Sequence, residues 1–247
     1  MSYKDPALAI STYFVGGYDK RRLEVFKKSL SSLFESKFTG KVIIVDDGSD
    51  EKDHIHWLKN ENKKVTIIEK DNNGGISKTK NTSIKQILKY SNVGFLCDDD
   101  IFYKNGFDNA YVDSINKTGI EHFSAFVVGN CQSSPVVINK HTIIKTSLLN
   151  GCFVTITKSM IDKIGYYPIL PHKYGHEHVN FTKRCIQNKF APFFCDIVDR
   201  EKFINIVHES GLCSAIGYKV NAPENKYKLN ENSKIAFSDY SYKECVE

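Results

Sequence analysis

The chain has 247 residues, of which 41% are hydrophobic and 26% are charged, and its formal net charge is +5. These values are ordinary for a globular protein, and the length is sufficient for one substantial α/β domain. Because the basic residues are scattered along the chain, the mild positive charge suits an anionic ligand and argues against nucleic acid as a partner.

No stretch of sequence approaches the roughly 18 uninterrupted apolar residues of a transmembrane helix. The first ten residues, MSYKDPALAI, lack the basic-then-apolar pattern of a secretory signal. The seven cysteines are widely spaced and include no CxxC pair. Their number and spacing indicate reduced, buried thiols rather than disulfides or a zinc site, so we expect a cytoplasmic protein.

Short apolar strands alternate with amphipathic helices in the first hundred residues. Strands are predicted at residues 7–14, within 41–50, within 64–75 and at 93–97. Helices are predicted at residues 19–36, around Trp57 and at 76–90. This alternation predicts an α/β fold with a mostly parallel central sheet and helices on both faces.

A polar cluster follows each of these four strands. The clusters are Ser11-Thr12-Tyr13, Asp46-Asp47-Gly48-Ser49, Asn72-Asn73-Gly74-Gly75 and Asp98-Asp99-Asp100. In parallel α/β sheets, ligands bind at the carboxyl ends of the strands. We therefore predict that the four clusters line one rim of the sheet.

The second half of the chain is less regular. Strands are predicted at residues 123–130 and 151–157, and within 191–198 and 202–211. Helices are predicted before Gly165 and at residues 177–190. After Gly211 the sequence turns polar, and residues 221–234 are predicted to be a loop or a loosely held tail. There is no internal repeat and no linker, which favours a single domain.

Three aspartates, Asp98, Asp99 and Asp100, directly follow the buried strand VGFLC. They are explained either by a solvated turn or by a divalent cation, which is usually held by one or two carboxylates and completed by ligand phosphates. In a strand-like conformation Asp98 and Asp100 would point the same way and Asp99 the opposite way. A metal would therefore pair Asp98 with Asp100, and the rigid strand end and the polar rim favour this interpretation.

Five segments carry a family resemblance: VIIVDDGSD, NNGGISKTKN, FLCDDDI, GCFVTITKSMIDKIGYY and GHEHVNFTKRC. Their order and spacing over residues 5–210 resemble the GT-A-fold glycosyltransferases, and most closely family 2, the inverting enzymes that build polysaccharides. The resemblance implies a single-domain, Rossmann-like GT-A fold over residues 1–215. Its donor-nucleotide half would cover about 1–105, its acceptor half about 106–215, and a polar extension would follow at 216–247.

The resemblance implies that the rim binds a nucleotide sugar. Asp47 matches the acid that holds the uracil or ribose, although an Asx turn before a glycine would also explain it. The residues that match the segment beside the nucleoside are Ser11, Thr12 and Tyr13. Lys78 and Lys80 follow the tight turn at residues 73–75, where a cation can reach the base or the diphosphate; a solvated helix face is an equally good explanation for either lysine.

The aspartates match the DxD motif of the same family. This implies that Asp98 and Asp100 bridge Mg²⁺ or Mn²⁺ to the two donor phosphates, with Asp99 also at the donor. The family has a further ligand, a late histidine, and His208 in INIVHESG stands at the corresponding place. The metal acts as a Lewis acid on the departing oxygen.

The segment YGHEHVNF departs from the family pattern. An inverting transfer needs a general base, which the family supplies from a Glu-Asp pair at the start of a late helix. Here Glu177 is present, but His178 stands where Asp is expected. Either residue can accept the proton, so the sequence leaves open which one acts. An acid such as Glu177 is also favoured at a helix start by the helix dipole.

These features predict a metal-dependent hexosyl- or N-acetylhexosaminyltransferase that uses a nucleotide-diphosphate sugar, with a UDP-sugar favoured. The acceptor would be a glycan in cell-surface or capsular polysaccharide synthesis, and the positive charge is compatible with peripheral attachment to the inner face of a membrane. One alternative is a sugar nucleotidyltransferase, because STYFVGGYDKRR offers a glycine-containing, basic loop after the first strand. The other is a non-catalytic sugar-nucleotide binding module, suggested by the absence of Asp at position 178.

Overall fold

The structure, a computed structural model, describes residues 2–61, 64–125, 132–148, 151–206 and 223–246, with side chains from 228 onwards in the last range. The strands are β1 (Ala7–Thr12), β2 (Val42–Asp46), β3 (Thr66–Glu69), β4 (Val93–Asp98), β5 (Ile101–Tyr103), β6 (Ser133–Ile138), β7 (His141–Thr146), β8 (Phe153–Thr157), β9 (Cys195–Ile197) and β10 (Ile204–Ile206). The helices are α1 (Lys20–Glu35), α2 (Asp53–Asn60), α3 (Ile76–Ile87), α4 (Phe107–Thr118), α5 (Lys158–Ile164), α6 (Glu177–Gln187) and α7 (Pro223–Ala236).

The central sheet has five strands in the order β3-β2-β1-β4-β8. The first four are parallel, and β8 runs antiparallel to β4. Thr12 pairs with Asp46, and Ser11 pairs with Asp98, so the strand ends lie side by side. The predicted mostly parallel α/β sheet and its polar rim are therefore confirmed.

Helices cover both faces of this sheet, as the sequence predicts. Residues alternate along each strand, so that Ile10 and Phe95 belong to one buried cluster and Ala9 and Leu96 to the other. The first cluster includes side chains of α1, α2 and α4, and the second includes side chains of α3, α5 and α6. Burial on both faces explains why the strands are apolar throughout.

Two smaller sheets complete the domain. Strands β6, β7 and β9 form a three-stranded antiparallel sheet, and β5 pairs with β10. The hairpin of β6 and β7 and the helix α4 were not predicted. Of the strand predicted at 123–130, the described part contributes one isolated bridge, from Ser124 to Val154, and residues 126–130 lie outside the described residues.

The prediction of a loop or loosely held tail at residues 221–234 is wrong. This segment contains most of helix α7, and Asn232 and Ala236 are fully buried against the rest of the protein. The helix carries few apolar residues, so no apolar stripe reveals it in the sequence. Hydrogen bonds hold it instead: the Asn232 side chain bonds to the backbone of His172 and Tyr174, and the Asn180 side chain donates to the carbonyl of Ala236.

The described residues also bear on two predictions, which concern membrane-spanning helices and the cysteines. In the ranges that the structure describes, no helix has the length and apolar character needed to cross a membrane. Cys97, Cys152, Cys185 and Cys195 are buried and form no disulfide among the described residues, as their apolar surroundings in the sequence indicate.

Candidate active site

Asp98, Asp99 and Asp100 form a tight turn between β4 and β5, here called the aspartate turn. Their exposure alternates as expected, because Asp98 and Asp100 are partly exposed while Asp99 is buried. The side chain of Asp98 is 37% exposed and that of Asp99 only 6%. The outer two carboxylates therefore face the rim, and the middle one faces the protein interior.

Two buried cations compensate two of these three charges from inside the protein. The Lys80 ammonium lies 2.6 Å from Oδ1 of Asp98, and burial, which lowers the pKa of Lys80, is outweighed by that carboxylate, so the pKa is raised. Asp99 accepts from Arg22 and, at 2.6 Å, from the hydroxyl of Thr12. Asp99 and Thr12, both predicted to contact the donor, are thus bonded to each other and to α1.

The third carboxylate, Asp100, has no ion pair with a basic side chain in the described part of the chain. Burial raises its pKa to about 7, and the charges of Asp99 and Asp98 act in the same direction. Its ionised form is therefore disfavoured until a cation approaches. Carboxylates of this kind fit Mg²⁺ or Mn²⁺, which take hard oxygen ligands and usually need only one or two from the protein when phosphates supply others.

The predicted third ligand, His208, lies outside the described residues. Strand β10 pairs with β5 so that Ile206, the last described residue before it, stands opposite Ile101, which directly follows Asp100. Within the described ranges, His, Cys, Asp and Glu side chains form no group of three that could hold a metal.

Asp47 anchors the glycine turn of residues 73–75 to the rim. Its carboxylate accepts from the backbone N–H of Gly74 at 3.0 Å, from that of Gly75 at 2.9 Å, and from Lys70 Nζ at 2.6 Å. Only 7% of the side chain is exposed. The Asp47 carboxylate therefore holds the glycine turn in place. The predicted contact with a nucleoside requires the same carboxylate to reach the ligand while it keeps these three hydrogen bonds.

The remaining predicted donor contacts differ in their surroundings. Ser11 is buried, with its hydroxyl 3.4 Å from that of Ser83. Tyr13 is partly exposed, and its hydroxyl donates to Asp50 at 3.1 Å. Lys78 is partly exposed on α3, whereas Lys80 is buried beneath the aspartate turn. The structure therefore brings Lys80 into the site and leaves Lys78 at its edge.

Glu177 and His178 form a bonded pair at the start of α6. Glu177 Oε1 lies 3.2 Å from His178 Nδ1, and Oε2 accepts from the backbone N–H of Gly175 at 2.9 Å. Burial raises the pKa of Glu177, but the bonds from His178 and Gly175 outweigh it, so the pKa is lowered. An ionised carboxylate can only accept, so His178 Nδ1 carries the hydrogen and Nε2 is left to accept a proton. His178 is the more exposed of the two, at 26% against 8%.

Gly151 joins the aspartate turn to this pair. Its carbonyl lies 3.4 Å from Lys80 Nζ, the ammonium that contacts Asp98. On its other side a Cβ would stand 2.8 Å from both Cβ and Cγ of His178. Gly151 is therefore adjacent both to His178 and to the lysine that pairs with Asp98.

We expect Gly151→Ala to lower kcat by about 10- to 100-fold, because the added methyl group displaces the His178 ring and a misplacement of about 1 Å can cost 100-fold. The thermal midpoint should change little, since Gly151 is partly exposed. Gly16→Ala is the matched control, because a Cβ there meets nothing closer than 3.7 Å. Full activity of Gly151→Ala would contradict this view of the site.

Three residues of the site escaped sequence reasoning in these roles: Arg22, Lys70 and Gly151. Lys70 directly follows β3, so its position at a strand end is the signal that was available. In the sequence, Arg22 is the last residue of STYFVGGYDKRR, the glycine-containing, basic segment on which the nucleotidyltransferase alternative rests. The structure places Lys20, Arg21 and Arg22 in helix α1 rather than in a loop, and it turns Arg22 inward onto Asp99, which disfavours the nucleotidyltransferase alternative.

Comparison with known proteins adds to this picture. No family model matches the chain. An uncharacterized glycosyltransferase of Acanthamoeba polyphaga mimivirus is 36% identical over 259 residues, which span 100% of this chain and 97% of the relative. The crystal structure of S. aureus TarS 1-349 matches with a TM-score of 0.59 at 17% identity, covering 97% of this chain and 74% of TarS 1-349.

A second solved structure has the same fold. The mannosyltransferase PcManGT from Pyrobaculum calidifontis, in complex with GDP-Man and Mn²⁺, matches with a TM-score of 0.56 at 12% identity, covering 85% of this chain and 60% of that protein. At these identities the structural matches concern the fold alone, and that fold is GT-A.

Proposed function

The chain belongs to the glycosyltransferases, and from this premise we propose that it transfers a sugar from a nucleotide-diphosphate donor to a glycan hydroxyl with inversion. The observation that carries the proposal is that Gly151 is adjacent both to His178 and to Lys80, which pairs with Asp98 of the aspartate turn. We favour a UDP-sugar as donor. TarS has been crystallised with UDP, which supports this choice, and PcManGT with GDP-Man and Mn²⁺, which supports a metal-bound nucleotide sugar.

Asp98 and Asp100 are the residues that would hold Mg²⁺ or Mn²⁺, with His208 as the proposed third ligand. When bound, the ion compensates the charge that develops on the departing diphosphate. The protein supplies the rest of the electrostatics. Lys80 neutralises Asp98 from below, and Asp47 fixes the glycine turn whose backbone borders the same rim.

We assign the general base to His178. Its Nδ1–H is held by Glu177, which leaves Nε2 to take the proton from the acceptor hydroxyl as that oxygen attacks the anomeric carbon. Glu177 then faces the imidazolium and stabilises it, as a buried carboxylate does for a histidine base. One displacement with one base inverts the anomeric centre. The histidine at position 178 therefore preserves the chemistry of the expected aspartate.

The acceptor follows from the resemblance to polysaccharide-building enzymes. We place the reaction in cell-surface or capsular polysaccharide synthesis, in the cytoplasm, with peripheral attachment to the inner face of a membrane. The formal net charge of +5 supports contact with an anionic lipid surface.

The donor site is tested by the thermal stability of the purified protein with UDP, GDP, CDP or ADP, each with and without Mn²⁺. A ligand that binds only the folded state increases the free energy of unfolding by mass action, by about 2.7 kcal/mol at 100 times its Kd, and so raises the midpoint. We expect one nucleotide to act, and only with Mn²⁺. No shift with any nucleotide would overturn the donor site, and a shift without sugar turnover would favour the binding module.

A further inference from the structure

The C-terminal helix α7 packs against the loop of residues 172–175, which is separated from Glu177 by His176 alone. The contact is made chiefly by Asn232, whose side chain is fully buried. Asn232 Oδ1 accepts from the backbone N–H of His172 at 3.0 Å. Its Nδ2 lies 2.8 Å from the carbonyl of Tyr174 and 3.2 Å from the carbonyls of His172 and Gly175.

This arrangement fixes the orientation of the Asn232 amide. Three carbonyl oxygens surround the nitrogen and one N–H faces the oxygen, so the opposite orientation would set oxygens against oxygens. The amide has two hydrogens for three carbonyls, and its shortest bond goes to Tyr174. A buried side chain bonded in this way holds the backbone of the loop in place.

The peptide unit between Tyr174 and Gly175 links this amide to the site. Its carbonyl accepts from Asn232, and its N–H donates to Glu177 Oε2 at 2.9 Å. Glu177 in turn accepts from His178 Nδ1 at 3.2 Å. A continuous series of hydrogen bonds therefore runs from a residue of the C-terminal helix to the proposed base.

We propose that Asn232 is a positioning residue for the general base, and that the C-terminal segment, residues 228–246, is part of the catalytic unit. This inference rests on the proposed function, because it assigns a role within that reaction. Asn232 holds the Tyr174–Gly175 peptide, the peptide orients the Glu177 carboxylate, and the carboxylate sets the tautomer of His178.

The rest of the C-terminal segment is bound tightly enough to serve this purpose. Asn180, on α6, donates to the carbonyls of Ala236 at 3.1 Å and Asp239 at 2.6 Å. The backbone of Lys243 bonds to Tyr166 at 2.9 Å and leaves no room for a side chain at Gly165. The segment is therefore fixed both to α6 and to the residues that directly follow α5.

The loop itself is held on its opposite side by the donor half of the protein. The carbonyl of Lys173 accepts from the backbone N–H of Ile76 at 2.9 Å, and a Cβ at Gly75 would stand 2.8 Å from Lys173. The loop thus lies between the glycine turn and the C-terminal helix. The bond between Lys173 and Ile76 does not involve Asn232, so in an Asn232 variant it still holds the loop on its donor side.

The test is Asn232→Ala in the full chain. We expect kcat to fall about 30-fold with the donor KM within about threefold, because the base is misplaced while the donor contacts remain. In ¹⁵N-histidine NMR, we expect the wild-type His178 to show the Nδ1–H tautomer and the variant to show a mixture. His178→Asn identifies the signal by its loss.

Leu229→Ala is the matched control, because Leu229 packs on Gly175 from the same helix without a hydrogen bond to the loop. It should lower the thermal midpoint yet keep the wild-type tautomer. If Asn232→Ala does not fold, Asn232→Ser decides, with the same expected tautomer mixture. An unchanged tautomer with unchanged kcat overturns the inference. Absence of turnover in the wild type overturns the proposed function alone, since the tautomer remains measurable.

Discussion

Asp100→Asn is expected to abolish the Mn²⁺-dependent binding of the nucleotide and to reduce sugar transfer by at least about 1,000-fold, since charge stabilisation by a bound metal contributes several kcal/mol. Within the aspartate turn, Asp98 pairs with Lys80 and Asp99 with Arg22, whereas Asp100 has no basic ion-pair partner among the described residues. Its carboxylate is therefore the one left for a cation. An amide keeps the size of the side chain but removes the charge. Asp113→Asn, an exposed change on α4, is the matched control.

The same variant should be more stable than the wild type at high pH. The pKa of Asp100 is raised from 3.8 to about 7 in the folded protein. A raised carboxyl pKa gives stability that is complete below the unfolded pKa and is lost as the pH rises through the folded value. The difference between 3.8 and about 7 is converted into free energy at about 1.36 kcal/mol per pKa unit. Because the side chain is partly exposed, we count half of it, which gives a loss of stability of roughly 2 kcal/mol.

Urea unfolding at pH 4 and pH 8 measures this effect. We expect Asp100→Asn to match the wild type at pH 4 and to exceed it by roughly 2 kcal/mol at pH 8. Saturating Mn²⁺ and nucleotide should then stabilise the wild type and leave the variant unchanged. If the variant and the wild type are equally stable at both pH values, or if the variant still binds the nucleotide in a Mn²⁺-dependent manner, Asp100 is an ordinary turn residue.

His178→Asn should lower kcat by about 1,000-fold, within the range of 100- to 10,000-fold that general base catalysis contributes. Glu177→Gln should lower it by about 100-fold, because a neutral amide no longer holds the Nδ1–H tautomer and can impose the wrong one. Nucleotide binding should be unchanged in both, since neither residue contacts the aspartate turn. His56→Asn, on the exposed face of α2, is the control.

The order of the two effects identifies the base. A larger loss in Glu177→Gln than in His178→Asn would show that the carboxylate takes the proton and that the imidazole serves only as its partner. The measurement is a steady-state kcat with donor in excess, together with calorimetric titration of UDP in Mn²⁺. A loss of nucleotide affinity in either variant would also contradict the assignment.

The rim of the site could be predicted because it depends on strand ends. Apolar runs bounded by polar clusters indicate parallel strands, and parallel strands place their carboxyl ends together, as Thr12, Asp46 and Asp98 show. The alternation of the aspartates follows from the two-residue period of an extended chain. His208 stays a prediction, because it lies outside the described residues.

The groups behind the rim could not be predicted, because they depend on tertiary contacts. Nothing local indicates that Arg22 turns inward to Asp99 over 77 positions, or that Lys70 reaches Asp47 over 23. The sequence of helix α7 predicts a tail, because a polar segment without an apolar stripe is typical of solvated chain. Asn232 of this helix is buried and is held by hydrogen bonds to the protein. Such bonds produce no periodic pattern in the sequence.

In the function that we propose, the aspartate turn and His178 form one site for glycosyl transfer. The most direct measurement is the release of nucleoside diphosphate from UDP- and GDP-sugars in Mn²⁺ by the wild type and by His178→Asn. We predict release from a UDP-sugar by the wild type, its loss in EDTA, and a decrease of at least about 100-fold in the variant. Release from none of the donors, or equal release by both proteins, would contradict the claim.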